Sequence, residues 1–257
     1  MDRKTILRTF HSWLTVPTPR EERRFLEAHL ELLEPGSIAS LKRKLHAVRS
    51  STQQMIPSIL GEIDRQRLVT HLALLSEIIT SGRTVEAIRR VYVDIHGGLT
   101  LDIPEWLEQG IDQLNGFTQA DQTDGTLVRR LTLLRTIVQR ANDDPHVNDE
   151  MYAELLSMQG SILEERVFAN NAEACETAIV SREAALKVYT IARYPRQYAA
   201  TQVYLGSTYR KRIEGTRSTN LEHAITCFEA ALQWSEPILP VHSSITLLTD
   251  LTTLVYD

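Results

Sequence analysis

The stretch Tyr198–Leu232, YAATQVYLGSTYRKRIEGTRSTNLEHAITCFEAAL, has a second version of itself in the same chain. Tyr152–Leu186, at an offset of 46 (152 to 198), keeps the same residue at twelve positions without a gap. The pairs are Tyr152/Tyr198, Ala153/Ala199, Gly160/Gly206, Ser161/Ser207, Arg166/Arg212 and Glu176/Glu222, then Ala178/Ala224, Ile179/Ile225, Glu183/Glu229, Ala184/Ala230, Ala185/Ala231 and Leu186/Leu232. A repeat of this length predicts a stacked array of identical supersecondary units.

Each unit reads as a helical hairpin. Val203, Leu205 and Tyr209 mark the apolar side of a first helix, with Gly206 among them. Leu221, Ala224, Ile225, Phe228, Ala231 and Leu232 recur three or four apart, as one face of a second helix requires. Between them, Glu214-Gly215-Thr216-Arg217-Ser218-Thr219 holds a glycine to end the first helix and hydroxyls to cap the second. Gly206, Ala224 and Ala231 let two helix axes approach closely, and Tyr209 and Phe228 fill the gaps beside them. A single hairpin of this size cannot bury both of its apolar faces, so it needs neighbours.

Leu205-Gly206, Tyr209, Ala224, Phe228 and Ala231 resemble the tetratricopeptide repeat signature. The earlier copy keeps Gly160, Ala178 and Ala185 but has Gln159, Leu163 and Arg182 where Leu, Tyr and Phe stand in that signature. The period of 46 also exceeds the common one of about 34 residues, with extra residues in the turn and the inter-hairpin link. Tyr194-Pro195-Arg196-Gln197-Tyr198-Ala199, followed by Leu-Gly and Asn220-Leu221-Glu222-His223-Ala224-Ile225, is similar to the long-period arrays that precede caspase-like CHAT protease domains in bacteria. The resemblance implies an all-α chain, a right-handed α-solenoid of antiparallel helical hairpins. It implies a non-catalytic scaffold that binds a peptide or protein partner on its concave face. As an alternative it implies the sensor part of a larger CHAT-type protease or signalling protein, with a protease domain following residue 257.

Composition agrees with such a chain. With 257 residues and 42% apolar content, it can bury an extended core. A formal charge of −5 argues against nucleic acid and anionic membrane as general partners. Two cysteines, Cys175 and Cys227, are too few for a disulfide framework and suit a reducing cytoplasm. No run approaches about 18 uninterrupted apolar residues. The amino-terminal segment is amphipathic, with Ile6, Leu7, Phe10, Trp13 and Leu14 on one side, and lacks a signal-peptide apolar region.

The chain divides into helical hairpins over residues 1–120 and repeats over 121–257. The repeat copies occupy about 147–194 and 195–237, followed by a partial repeat or capping helix. Residues 2–15 form a first helix, and Thr18-Pro19 with Glu21 make a capping box for a second that runs to Leu33. Further helices fall at 37–49, 57–80, 83–95, 104–114 and 127–141, and 243–255 opens a third hairpin. The polar stretch 115–125 reads as the boundary between the halves. His29-Leu30-Glu31-Leu32-Leu33 recurs as His71-Leu72-Ala73-Leu74-Leu75, read as the end of one buried stripe used twice and not as a metal pair, because no further ligand lies at metal-site spacing.

Motifs of chemistry are missing from the sequence: there is no phosphate-binding Gly-x-x-x-x-Gly-Lys, no Gly-x-Ser-x-Gly, no His-Glu-x-x-His and no Cys-x-x-Cys. His223 and Cys227, four apart on one helix, are read as surface and core residues. No catalytic residue, metal ligand or cofactor is therefore expected. In tetratricopeptide hairpins the first helix lines the inner face. That pattern implies a partner-binding face of Glu154, Ser157, Ser161, Glu164 and Glu165 in one copy, and Ala200, Val203, Ser207, Arg210 and Lys211 in the next. Acidic and basic steps side by side suit an extended peptide or protein. Arg166 and Arg212 are expected to brace the turns, for instance to Glu176 and Glu222.

Overall fold

The computed structural model describes residues 3–39, 43, 65–117, 124–167 and 172–233. The described residues are all-helical, without a strand. They belong to two compact units, Met1–Tyr92 and Val93–Asp257.

The first unit holds α1 (Arg3–Leu14), α2 (Pro19–Ala28), a 3-10 turn (Leu30–Leu33), α3 (Arg65–Thr80) and most of α4 (Val85–His96). Its centre is Trp13, fully buried with Leu14, Leu26, Leu32, Leu33, Leu75 and Ile78. The indole donates Nε1–H to the Glu22 carbonyl at 3.2 Å and meets the His71 ring edge-on at 4.6 Å. The Thr18 half of the capping box is present, while the Glu21 carboxylate takes the Thr18 hydroxyl in place of the Thr18 backbone amide. Thr18 Oγ1 accepts from the Glu21 amide at 3.3 Å and donates to its carboxylate at 2.8 Å, ahead of Pro19 at the first helical position.

The sequence reading carries the second helix to Leu33, but α2 stops at Ala28. His29 leaves helical geometry, stacks its ring on Phe25 at 4.2 Å and points Nδ1 at the Phe25 carbonyl, so Leu30–Leu33 continue as a 3-10 turn. The second His-Leu-x-Leu-Leu lies inside α3 instead. The two copies thus differ in conformation and are not one stripe used twice. The helices expected at 37–49 and 243–255 and the start of that expected at 57–80 fall wholly or mostly outside the described residues.

The second unit holds the end of α4, α5 (Glu105–Asn115), α6 (Asp124–Asp143), α7 (Asp149–Val167), α8 (Ala172–Leu186), α9 (Pro195–Lys211) and α10 (Arg217–Leu232). Each helix from α5 onward packs against the next, and α7 also touches α9. One continuous apolar core runs through them, from Leu107 and Leu134 through Leu155 and Ala178 to Leu205, Ala224, Phe228 and Ala231. The boundary at 92/93 lies upstream of the polar stretch 115–125. The turn after α4 belongs with α7: Gly97 has φ +87°, and a side chain on either Gly97 or Gly98 would collide with Glu154 or with the Glu150 main chain.

The two copies of the repeat fold alike. α7 and α8 form one hairpin, α9 and α10 the other, and α8 of the first rests on α9 of the second. Pairings run antiparallel: Glu164 with Arg182, Glu154 with Tyr189, Glu150 with Tyr194. Of the four shared alanine pairs, Ala153/Ala199, Ala178/Ala224 and Ala185/Ala231 are fully buried and Ala184/Ala230 is half-buried. At the shared glycines the partner differs. Gly206 lies against the ring of Phe228, and Gly160 lies against the stem of Arg182, the residue 46 positions earlier.

Candidate functional site

Arg182 is the point where the first copy departs most from the second, and it ties the copies together. It is 1% exposed, in the place that Phe228 fills with a ring. Its methylenes pack on Gly160 while the guanidinium donates to Glu164 at 2.9 Å and to Thr208 Oγ1 at 2.6 Å, beneath the Tyr204 ring at 5.4 Å. Burial lowers its pKa, and the Glu164 carboxylate opposes that shift. Glu164, Thr208 and Tyr204 lie on α7 and α9, so one buried side chain of α8 fixes both first helices. A second brace is Arg212, whose Nε and Nη2 each meet a Glu176 oxygen at 2.7 Å. Arg212 thus meets Glu176 of the other copy and not Glu222 of its own, which receives Ser218 instead. The Arg166 side chain lies outside the described residues.

The entry of α9 is fixed from far away in the chain. Tyr194, its N-cap residue, makes no side-chain cap bond. Asp94, 102 positions earlier, accepts from the Arg196 amide at 2.8 Å and the Arg196 guanidinium at 2.9 Å. Burial pushes the Asp94 pKa up, against the pull of these Arg196 donors. Beside it, Tyr194 donates to Glu150 at 2.7 Å and Arg193 pairs with the same carboxylate at 2.7 Å. Tyr189 stands edge-on to Tyr194 at 5.8 Å and donates to Glu154 at 2.9 Å.

These supports shape a groove of about 270 Å³ between the two first helices. α7 lines it with Glu154, Ser157, Met158, Ser161 and Ile162, and α9 with Gln197, Ala200, Thr201 and Tyr204. Arg130 of α6 and Arg182 complete the wall. Tyr204 is 50% exposed, one of the few large rings left open to solvent. The Ser157 hydroxyl oxygen is buried and has no hydrogen-bond partner. Burial raises the pKa of Glu154, opposed by the Tyr189 hydroxyl and the Gly98 amide.

Of the residues expected on the partner-binding face, the structure brings Glu154, Ser157, Ser161 and Ala200 together at this groove. Glu164 is held by Arg182 and by Lys211, whose Nζ is 3.8 Å away. Val203 packs against the core. Ser207 is half-buried on α9, and the Arg210 carbonyl accepts from Arg217 at 2.6 Å. The side chain of Glu165 lies outside the described residues. Tyr204, Thr201 and Gln197 were not legible as site residues. Arg182 left one signal, a charge at a position where the repeat has an aromatic ring.

Cys227 and His223 do not form a reactive pair. Burial, reinforced by Glu183, pushes the Cys227 thiol up to about 11, and the His223 ring stacks on Tyr209 at 4.9 Å. Among the described residues no group of three His, Cys, Asp or Glu side chains is placed to hold a metal ion, and no helix is long and apolar enough to cross a membrane. The groove offers hydrogen-bonding groups, a carboxyl and an aromatic face.

No family model, curated protein or solved structure matches this chain.

Proposed function

We propose that the chain is a non-catalytic interaction scaffold, a tetratricopeptide-like right-handed stack of antiparallel hairpins that holds a peptide or protein partner along its first helices. The observation that carries this is the groove between α7 and α9. Two copies of one sequence unit lie side by side, and equivalent helices of both contribute its walls. Its sides are pinned by buried ties, Arg182 to Glu164 and Thr208, and Asp94 to Arg196. A preorganised surface loses little entropy on binding, which favours recognition by display over recognition by folding. The two cysteines are free and buried, which supports a cytoplasmic protein.

The test is capture of partner proteins with groove-blocked and control variants. Ser161→Trp and Ala200→Trp fill the groove, while Val180→Glu alters a 64% exposed position of α8 away from it. Partners held by the wild type and by Val180→Glu, but lost with either tryptophan, support the scaffold. Capture that is indifferent to the groove variants refutes it.

A further inference from the structure

We propose that the α7/α9 groove receives an extended segment of a partner protein with one lysine or arginine side chain seated against the Glu154 carboxylate. The inference rests on the scaffold reading and adds the chemistry of the guest.

One buried charge in the repeat region goes unmatched. Four carboxylates of the repeat region stand at comparable places between helices. Glu150 has Arg193, Glu164 has Arg182 and Lys211, and Glu176 has Arg212. Glu154 has the Tyr189 hydroxyl at 2.9 Å and the Gly98 amide, both neutral donors. Among the described residues no lysine, arginine or histidine pairs with it. Neutral donors hold a carboxylate in one orientation, but they do not offset the removal of its charge from water. A carboxyl buried without a counter-ion on the wall of a groove is a candidate binding group.

Two arginines lie on the groove wall, and neither pairs with Glu154. Arg182 has its guanidinium committed to Glu164 and Thr208, and Arg130 stands on α6. An acidic guest would meet Glu154 itself, with one of the two wall arginines already neutralised. A basic guest meets a carboxylate whose desolvation it relieves. The opposite wall suits the stem of such a side chain, because Tyr204 leaves half of its ring open for aliphatic and cation–π contact. Ser161, exposed, and Gln197 line the same groove and can bond to the backbone of such a segment, which favours a peptide over a free amine.

The test uses a displayed library of random linear peptides selected on the full chain, followed by titration of the enriched sequences against wild type, Glu154→Gln and Ala200→Trp. Glutamine keeps an oxygen for the Tyr189 and Gly98 donors, and circular dichroism checks that the variants fold. The expected peptides share one lysine or arginine. Changing it to glutamine, or Glu154 to Gln, weakens binding by about thirtyfold or more, and the two losses do not add. Peptides lost with Ala200→Trp but indifferent to Glu154→Gln, or sharing an acidic residue, overturn the inference and leave the scaffold standing. Peptides indifferent to Ala200→Trp, or no enrichment at all, overturn both.

Discussion

The two repeat glycines give a sharp test of the packing, because one substitution should act in opposite directions at equivalent places. At Gly206 a Cβ would stand 2.8 Å from Phe228 Cε1, 3.0 Å from Cδ1 and 3.1 Å from the Ala224 carbonyl oxygen. Carbon atoms in contact prefer about 3.5–4.0 Å, so α9 and α10 must separate or the ring must turn. Phe228 is 0% exposed and packed within the apolar core. Overpacking of this kind costs about 1–3 kcal/mol, against about 1 kcal/mol gained by replacing a mid-helix glycine with alanine. Gly206→Ala is therefore expected to lose about 1 kcal/mol. At Gly160 the same Cβ would lie 3.2–3.3 Å from atoms of Arg182, a long side chain that can yield a few tenths of an ångström. Gly160→Ala should keep most of the propensity gain. The assay is thermal unfolding followed by helical circular dichroism, where 1 kcal/mol moves the midpoint by about 2–4 °C. Gly206→Leu should destabilise more strongly than alanine, and Phe228→Leu should rescue part of the Gly206→Ala loss through a coupling of about 0.5–3 kcal/mol. Equal upward shifts for both alanines, or an unchanged midpoint for Gly206→Leu, would refute the close approach of α9 and α10.

The remaining expectations concern ionisable groups. Asp94→Ala removes the acceptor for the Arg196 amide at the start of α9 and should cost about 1–2 kcal/mol, seen as a lower unfolding midpoint; a change within error would show that Asp94 does not cap the helix. Glu154 binds its proton more tightly folded than unfolded, so its penalty grows as pH rises from the ordinary carboxyl range through the raised value. Glu154→Gln should accordingly be more stable than wild type at neutral pH, with the difference vanishing as pH falls to about 4. A difference independent of pH would mean the carboxyl is not desolvated. Cys227, pushed up to about 11, should resist alkylation in the native chain at pH 8 and react once denatured; mass spectrometry of the labelled peptide distinguishes the two.

Much of this molecule is legible without coordinates. Apolar residues three and four apart, with glycine and hydroxyl residues between them, fix helices and turns locally, because backbone hydrogen bonding and side-chain periodicity act over a few residues. The offset of 46 identifies equivalent positions, and three of the four shared alanine pairs are fully buried, Ala184/Ala230 being the exception. The recurring arginine pointed to a brace, but not to the Glu176 carboxylate of the neighbouring copy that Arg212 meets. What the chain pattern does not carry is which distant groups meet. Asp94 supplies the cap of a helix 102 positions away, and no local rule pairs them. Arg182 reads as a defect in a repeat until the packing shows it joining Glu164 to Thr208. Glu154 and Glu164 look alike along α7, yet one meets two cations and the other only neutral donors. Periodicity determined the helices and their order. Charge compensation, which depends on which side chains converge in space, was decided by the tertiary fold alone.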